Sequence, residues 1–189
     1  MYIYFLMRNN IYAIIGGPGR GKSTTLKELK KLGFDVIEEA AEQVKKEQLA
    51  LPNPILPETN FLGFQHLVIA RQVDLESRIN GKIAFTDRGR LDGIAYCRMK
   101  GVEIPCDIQK AVDEGIYKGV FSLSHLQIYV QTDIRPESES EADIIHCLIE
   151  SVYQERGYSV VQVPLLEAPE RAKWIANYVR GDSDGGRKP

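Results

Sequence analysis

Short apolar runs and helical stripes alternate along most of this chain. Ile11-Tyr12-Ala13-Ile14-Ile15 is a continuous apolar run that ends in glycine, the pattern of a strand buried on both faces. Leu26, Leu29 and Leu32 then recur at helical spacing and Gly33 follows as a stop, which predicts a first helix from about Lys22 to Lys31. Phe34 to Ile37 reads as a second strand, and Ala40 to Leu49 as a second helix stopped by Pro52, Pro54 and Pro57. Phe61, Phe64, Val68, Gln72, Leu75 and Ile79 mark one face of a long third helix, with Thr59 or Asn60 as N-cap and Gly81 as the stop.

The alternation continues. Lys82 to Thr86 predicts a third strand, Leu91 to Lys100 a helix closed by Gly101, and Pro105 opens another helix through about Glu114. Val120 to Leu123 is a fourth, short strand. Ser124 to Ser140 has no periodicity, and a loop of that length in a compact domain is usually functional or mobile. Ser138 with Glu141 forms a capping-box pattern for a helix carrying Ile145, Leu148 and Val152 and ending at Gly157. Tyr158 to Val163 is the fifth strand, and Pro169 lies in the first turn of a last helix that turns Ala172, Ile175 and Val179 inward. Parallel strands need crossover connections, so this order predicts a three-layer α/β fold: a five-stranded parallel sheet with helices on both faces.

Composition narrows the function classes. The 189 residues carry 24 Lys and Arg against 26 Asp and Glu, so no overall field favours nucleic acid or an anionic membrane, and an anionic ligand must be met locally. No Pro-, Ser- or Gly-rich linker divides the chain, so one domain over residues 1–180 is expected, with the polar, glycine-rich 181–189 as a disordered tail. Met1 to Met7 is apolar but lacks a basic leader and is too short to span a membrane; it reads as an edge segment or an upstream start, with Met7 the alternative initiator. Cys97, Cys106 and Cys147 lie far apart without a C-x-x-C pair, which argues against a disulfide framework or zinc site and fits a reducing, cytoplasmic location. His66, His125 and His146 share no metal spacing.

The chemistry begins where the first strand ends. Gly16-Gly17-Pro18-Gly19-Arg20-Gly21-Lys22-Ser23-Thr24 satisfies the G-x-x-x-x-G-K-[ST] phosphate-loop pattern between a strand and a helix. Its glycines permit backbone angles that turn N–H groups onto a triphosphate, and the helix start adds donors and a positive dipole end. Lys22 can reach the β- and γ-phosphates and the Ser23 hydroxyl can ligate Mg2+. ATP is the expected nucleotide, with GTP open. A dinucleotide-binding reading fails on spacing, because Lys22 stands where a third glycine would be needed.

Six further positions can serve a transfer reaction. Asp87, at the end of the third strand, is the candidate magnesium carboxylate, with an N-cap as its alternative role. Arg88 can neutralise a phosphate oxygen as a bidentate donor. Glu39, at the end of the second strand, is either a base for an acceptor hydroxyl, with Glu38 as substitute, or a helix-start carboxylate that complements the dipole. Arg135, in the long loop, is either a closing arginine on the γ-phosphate or a solvated one. Arg71 and Gln72 can reach an acceptor, although Gln72 lies on the apolar stripe and can equally satisfy a buried backbone group. Trp174 and Tyr178 read as packing groups or a base-stacking platform.

Taken with Glu39-Ala40-Ala41, Phe64-Gln65, Arg71-Gln72, Asp87-Arg88-Gly89, Asp92, Ala95-Tyr96, and Tyr129 with Asp133 and Arg135, the loop resembles the AAA-type P-loop ATPase family that includes the kinase part of NadR. The resemblance implies the fold of small nucleoside and nucleotide kinases, with Glu39 activating the acceptor and Asp87 and Arg88 serving metal and substrate. Two positions depart from the family pattern: Glu42 stands where arginine is common, and the spacing from Tyr129 to Asp133 is one residue longer. The family also contains nucleotide-dependent regulators. The expected function is therefore transfer of the γ-phosphoryl of ATP to a small nucleoside- or nucleotide-like acceptor. The alternatives are a regulatory switch that hydrolyses ATP or GTP, and a catalytically silent nucleotide binder.

Overall fold

The computed structural model describes residues 10–112, 117–124 and 139–181. β1 (Ile11–Ile15) is buried along its whole length because strands flank it on both sides and helices cover both faces. β3 (Ala84–Asp87) pairs with it in parallel on one side, with Ile14 opposite Asp87, and β4 (Tyr117–Leu123) on the other. β2 (Asp35–Ile37) and β5 (Val160–Val163) form the edges, giving the parallel order β2-β3-β1-β4-β5.

The strand pleat sorts the core into two halves. Tyr12 and Ile14 of β1, with Phe85 and Phe121, pack against Leu26 and Leu29 of α1 (Lys22–Lys31) and Ala172, Ile175 and Ala176 of α7 (Ala168–Arg180). Ile11, Ala13 and Ile15 face the other way. They meet α3 (Phe61–Ser77), α4 (Asp92–Met99), α5 (Cys106–Val112) and α6 (Glu139–Glu155) through Ile69, Ile94, Ile108 and Ile145. α2 (Ala40–Gln48) follows β2 and buries Ala40 and Val44. Each helix needs only one apolar stripe for this, which is the pattern visible in the sequence.

Element boundaries agree with the expectations within a few residues, with instructive exceptions. β4 begins at Tyr117, not Val120, because Lys118 and Gly119 look like a turn locally yet are drawn into the ladder beside Ile11 and Tyr12. Gly119 suits that position: an added Cβ would lie 3.0 Å from the Tyr12 ring. Leu32, which shares the spacing of Leu26 and Leu29, is the C-cap of α1 and 36% exposed. Asn60 is the N-cap of α3, its side chain accepting from the Gly63 N–H at 3.0 Å. Pro169 lies in the first turn of α7 as expected. The capping residue Ser138, His125, the Tyr129–Asp133–Arg135 set, the segment Met1 to Met7 and residues 182–189 lie outside the described residues. Among the described residues no helix is long and apolar enough to cross a membrane.

Candidate functional site

The sheet order itself locates a crevice. α1, leaving β1, packs on one face, whereas α4, following the adjacent β3, packs on the other, and ligands bind outside such strand ends in open α/β sheets. The Gly16–Ser23 loop and Asp87–Arg88 are both delivered there. Gly21 forms the N-cap of α1 with φ 77°, a left-handed angle that glycine adopts without strain. Gly17 is required for a different reason: an added Cβ would come within 2.3 Å of the Ala142 carbonyl on α6. Pro18, Gly19, Arg20, Gly21, Lys22, Ser23 and Thr24 line the crevice.

Lys22 is buried, and its ammonium donates to the carbonyls of Gly16 and Gly17, 2.9 Å from each. Burial and then the neighbouring Arg88 pull its pKa from the ordinary 10.5 to about 8, against the opposing charges of Asp87, Glu39 and Asp92. Arg20 is held by Asp143 of α6 at 2.5 Å. The Gly17 N–H donates to Nδ1 of His146, also on α6, at 3.4 Å. Arg171 of α7 supports the loop from below, reaching the Arg20 carbonyl at 3.3 Å and Thr25 Oγ1 at 3.2 Å. Neither His146 nor Arg171 stood out in the sequence, because their partners lie more than a hundred residues away.

Ser23 Oγ donates to Asp87 Oδ2 at 2.8 Å, while Asp87 Oδ1 is buried without a hydrogen-bond partner among the described residues. Burial raises the Asp87 pKa, with Lys22 and Arg88 opposing and Glu39 adding to the rise. A hydroxyl beside a carboxylate with one uncommitted oxygen is a hard-oxygen pair suited to Mg2+, which keeps several waters and phosphate oxygens as further ligands. Asp87 ends β3 and does not cap a helix, since Leu91 is the N-cap of α4.

The crevice lined by the loop continues beyond it, as one cavity of about 490 Å³ in all. Glu39 occupies the N-cap position of α2, but its side chain makes no capping bond; Oε1 instead accepts from Arg88 Nε at 2.8 Å. Arg88 is the one described non-glycine residue with a left-handed backbone, at φ 68°, a conformation that costs energy and recurs where a site needs a fixed geometry. Its guanidinium sits 5.6 Å from the centre of the Tyr96 ring. Burial alone would lower its pKa, but Glu39, Tyr96, Asp92 and Asp87 together hold it well above the ordinary value. Phe61, Phe64, Val68 and Ile69 of α3, Tyr96 and Met99 of α4, and Ile108 of α5 make an apolar wall, into which Gln65 and Gln72 bring carboxamides.

The structure thus brings Glu39, Arg88 and Gln72 to one cavity with the phosphate loop. Arg71 is not part of its lining: the guanidinium engages Glu47 at 2.7 and 2.8 Å and Gln43 at 3.2 Å, on the outer side of α3. Arg135 lies outside the described residues. Trp174 and Tyr178 stack on each other, 5.6 Å between centres, beside the core of the opposite sheet face.

Sequence reasoning missed a buried charge network behind the cavity. Glu76, 1% exposed, accepts from Tyr117 OH at 2.6 Å and Gln72 Nε2 at 2.7 Å, and its other oxygen accepts from Arg90 Nε at 2.6 Å. Arg90 also donates to the Ala111 carbonyl at 2.8 Å, and Gln72 to Thr86 Oγ1 at 2.9 Å. The network ties α3, β3, α5 and β4 together at the back wall. A signal was available: Glu76 stands one turn after Gln72 on the same face, and two polar residues at i, i+4 within an apolar stripe invite a shared buried partner.

A parallel sheet of this order, with a phosphate loop after its first strand and a hydroxyl–carboxylate pair beside it, defines a P-loop nucleoside-triphosphate-binding protein. A family model described as AAA domain matches residues 11–171, and the chain belongs to that family. Among curated proteins none matches the sequence. Solved structures share the fold at low identity. NadR protein in complex with NAD and AMP-PNP superposes with a TM-score of 0.69 at 15% identity, covering 97% of this chain and 53% of that one, so this chain spans about half the length of NadR. Deoxyadenosine kinase from M. mycoides aligns with a TM-score of 0.63 at 16% identity over 92% of this chain and 100% of that chain. Shikimate kinase from Acinetobacter baumannii, in complex with shikimate, gives 0.61 at 16% over 93% and 94%.

Proposed function

We propose that the protein is an ATP-dependent small-molecule kinase. The observation that carries this reading is that the cavity of about 490 Å³ lined by the phosphate loop extends past it to the Glu39–Arg88 pair and an apolar wall. Past the loop that cavity is walled by Phe61, Phe64, Val68 and Tyr96 with Gln65 and Gln72, the mix of apolar surface and a few polar groups usual for small-molecule pockets. A hydrolytic switch needs room only for a water at that position, and such a switch, using ATP or GTP, is the alternative. The solved relatives named above act on or bind small molecules by their own descriptions, and the shared fold makes the same class of chemistry available here.

In this reading the loop amides and Lys22 hold the β- and γ-phosphates, replacing the contacts that the ammonium makes with Gly16 and Gly17. Ser23 and Asp87 would hold Mg2+, whose charge neutralises phosphate oxygens. Glu39 takes the proton of the acceptor hydroxyl, and Arg88 both orients Glu39 and offsets charge on the transferred group. The bond from Arg88 Nε at 2.8 Å fixes where the Glu39 carboxylate sits.

The test is ADP release in the presence of ATP, Mg2+ and a panel of nucleosides, nucleotides and polyols, with parent and Glu39→Gln. Acceptor-stimulated ADP release that drops about 10²- to 10⁴-fold in the variant, while background hydrolysis falls less, is the expected result. No stimulation by any acceptor favours the switch. Equal stimulation in both proteins removes Glu39 from the mechanism.

A further inference from the structure

At the polar end of the cavity two buried atoms have no hydrogen-bond partner among the described residues: Arg88 Nη1 and Asp92 Oδ1. They form an ion pair at 3.6 Å, beyond hydrogen-bonding distance. Neither can readily turn to the other. Arg88 is fixed by Glu39 through Nε at 2.8 Å, and Asp92 by the Gly89 N–H at 3.0 Å and the Tyr153 hydroxyl at 2.9 Å, both on Oδ2. The Asp92 and Arg88 side chains are 5% and 13% exposed, so each open valence costs free energy unless a ligand meets it.

An N–H donor beside a carboxylate acceptor is the complement of a hydroxyl, which accepts one hydrogen bond and donates another. The same pair rejects ions: a phosphate or carboxylate would face Asp92, and an ammonium would face Arg88. Glu39 and Asp92 also flank one guanidinium, so a small molecule whose reacting hydroxyl meets Glu39 can place a neighbouring hydroxyl between Nη1 and Oδ1. Phe64, Val68 and Tyr96 are left to receive an apolar or planar remainder.

We propose that Arg88 Nη1 and Asp92 Oδ1 bind a second hydroxyl of the acceptor, that the acceptor is therefore a sugar or polyol derivative, and that Asp92 selects it. This rests on the kinase reading of the same cavity. Asp92 takes no part in bond making; it is a specificity residue whose oxygen accepts the second hydroxyl's proton in a hydrogen bond. Its position on the first turn of α4, held by Tyr153 from α6, sets where that hydroxyl must be.

The experiment compares adenosine, guanosine, cytidine, uridine and ribose with their 2′- and 3′-deoxy (for ribose, 2- and 3-deoxy) counterparts. Turnover is followed by ADP release, and binding by calorimetry with AMP-PNP and Mg2+ present. In the parent, removing one particular hydroxyl should lower kcat/KM and affinity by about tenfold or more, as expected for loss of a bond to charged groups. In Asp92→Asn the carboxamide oxygen can still accept from Gly89 and Tyr153 while its NH2 turns toward Arg88, and the deoxy penalty should shrink to about threefold or less. Arg88→Lys, which keeps the charge but loses the fork, should reduce the penalty as well. Tyr153→Phe, which loosens the hold on Asp92 but keeps its carboxylate, can lower the melting temperature and should reduce the penalty less than Asp92→Asn does.

Turnover without hydroxyl dependence, or an unchanged penalty in Asp92→Asn, overturns the second-hydroxyl site and leaves the kinase standing. Hydroxyl-dependent binding that Asp92→Asn abolishes, without turnover, keeps the site and overturns the kinase. Neither binding nor turnover with any member of the panel removes both.

Discussion

The two ends of the proposed kinase site are built by different means. The phosphate end is one contiguous stretch, Gly16 to Thr24, whose ligand groups are largely backbone amides at a helix start. The acceptor end draws Glu39 from the start of α2, Gln65 and Gln72 from α3, Arg88 from the β3 end and Asp92 and Tyr96 from α4, all as side chains. Backbone donors demand a spacing of glycines, and a spacing can be read from sequence. A wall of side chains demands only that the fold bring elements together, and the ligand is then chosen by single substitutions. One end is generic, the other particular.

The largest effect expected from breaking this contrast lies behind the acceptor end. Glu76→Gln takes the Glu76 carboxylate away from the buried Arg90, and loss of one partner from a buried pair typically costs about 3–5 kcal/mol. Urea denaturation should show that loss, and in the folded fraction the KM for the acceptor should rise more than the KM for ATP. A cost below about 1 kcal/mol, with both KM values unchanged, would mean the back wall does not depend on the network. The phosphate loop, tied instead to α6 and α7 through Asp143, His146 and Arg171, should keep its nucleotide affinity.

Lys22→Ala makes the opposite cut. Removing a charge-assisted contact to the phosphates should weaken ATP binding by about 100-fold by calorimetry, while leaving the protein folded. Free Lys22 titrates at about 8 instead of 10.5, so between those values the unfolded chain binds more protons than the folded one. Its contribution to stability is therefore unfavourable below pH 8 and improves as pH rises toward 10.5. Bound phosphates favour the charged ammonium, so ATP affinity should fall above pH 8 by up to about tenfold per pH unit, with proton uptake on binding. Lys22→Ala should lose that slope. A flat affinity profile from pH 7 to 9 in the parent would show that Lys22 is not the phosphate ligand.

The same contrast explains what the sequence revealed. The sheet, its helices and the loop were legible because each depends on local periodicity or spacing, and Asn60, Pro169 and Gly33 acted as punctuation. Glu39, Asp87 and Arg88 were legible as positions at strand ends, since a parallel sheet gathers those ends at one edge. Arg90 and Tyr117 were not, because the groups that meet Glu76 have no fixed sequence spacing from it: they lie 14 and 41 residues away and meet it only through the packing of α3 on β3 and β4. Tyr117 was hidden further by Lys118 and Gly119, whose local preference for a turn loses to pairing with β1.

The smallest effect concerns Arg71, which marks where the acceptor end stops. From sequence it can reach an acceptor, since it follows the apolar stripe of α3 and precedes Gln72. In the fold the two neighbours point differently, as residues one apart on a helix must, about 100° from each other. Gln72 enters the core and lines the cavity, whereas Arg71 forms a forked pair with Glu47 of α2 at the protein surface. Exposed pairs of this kind contribute little, because water already solvates both charges and two long side chains must be ordered. Arg71→Ala should therefore change the KM values for ATP and acceptor by less than about twofold, with kcat unchanged. Steady-state kinetics with the best acceptor from the panel decide it. A rise of tenfold or more in the acceptor KM would show that Arg71 leaves Glu47 and swings into the cavity when substrate binds, extending the acceptor end across the outer face of α3.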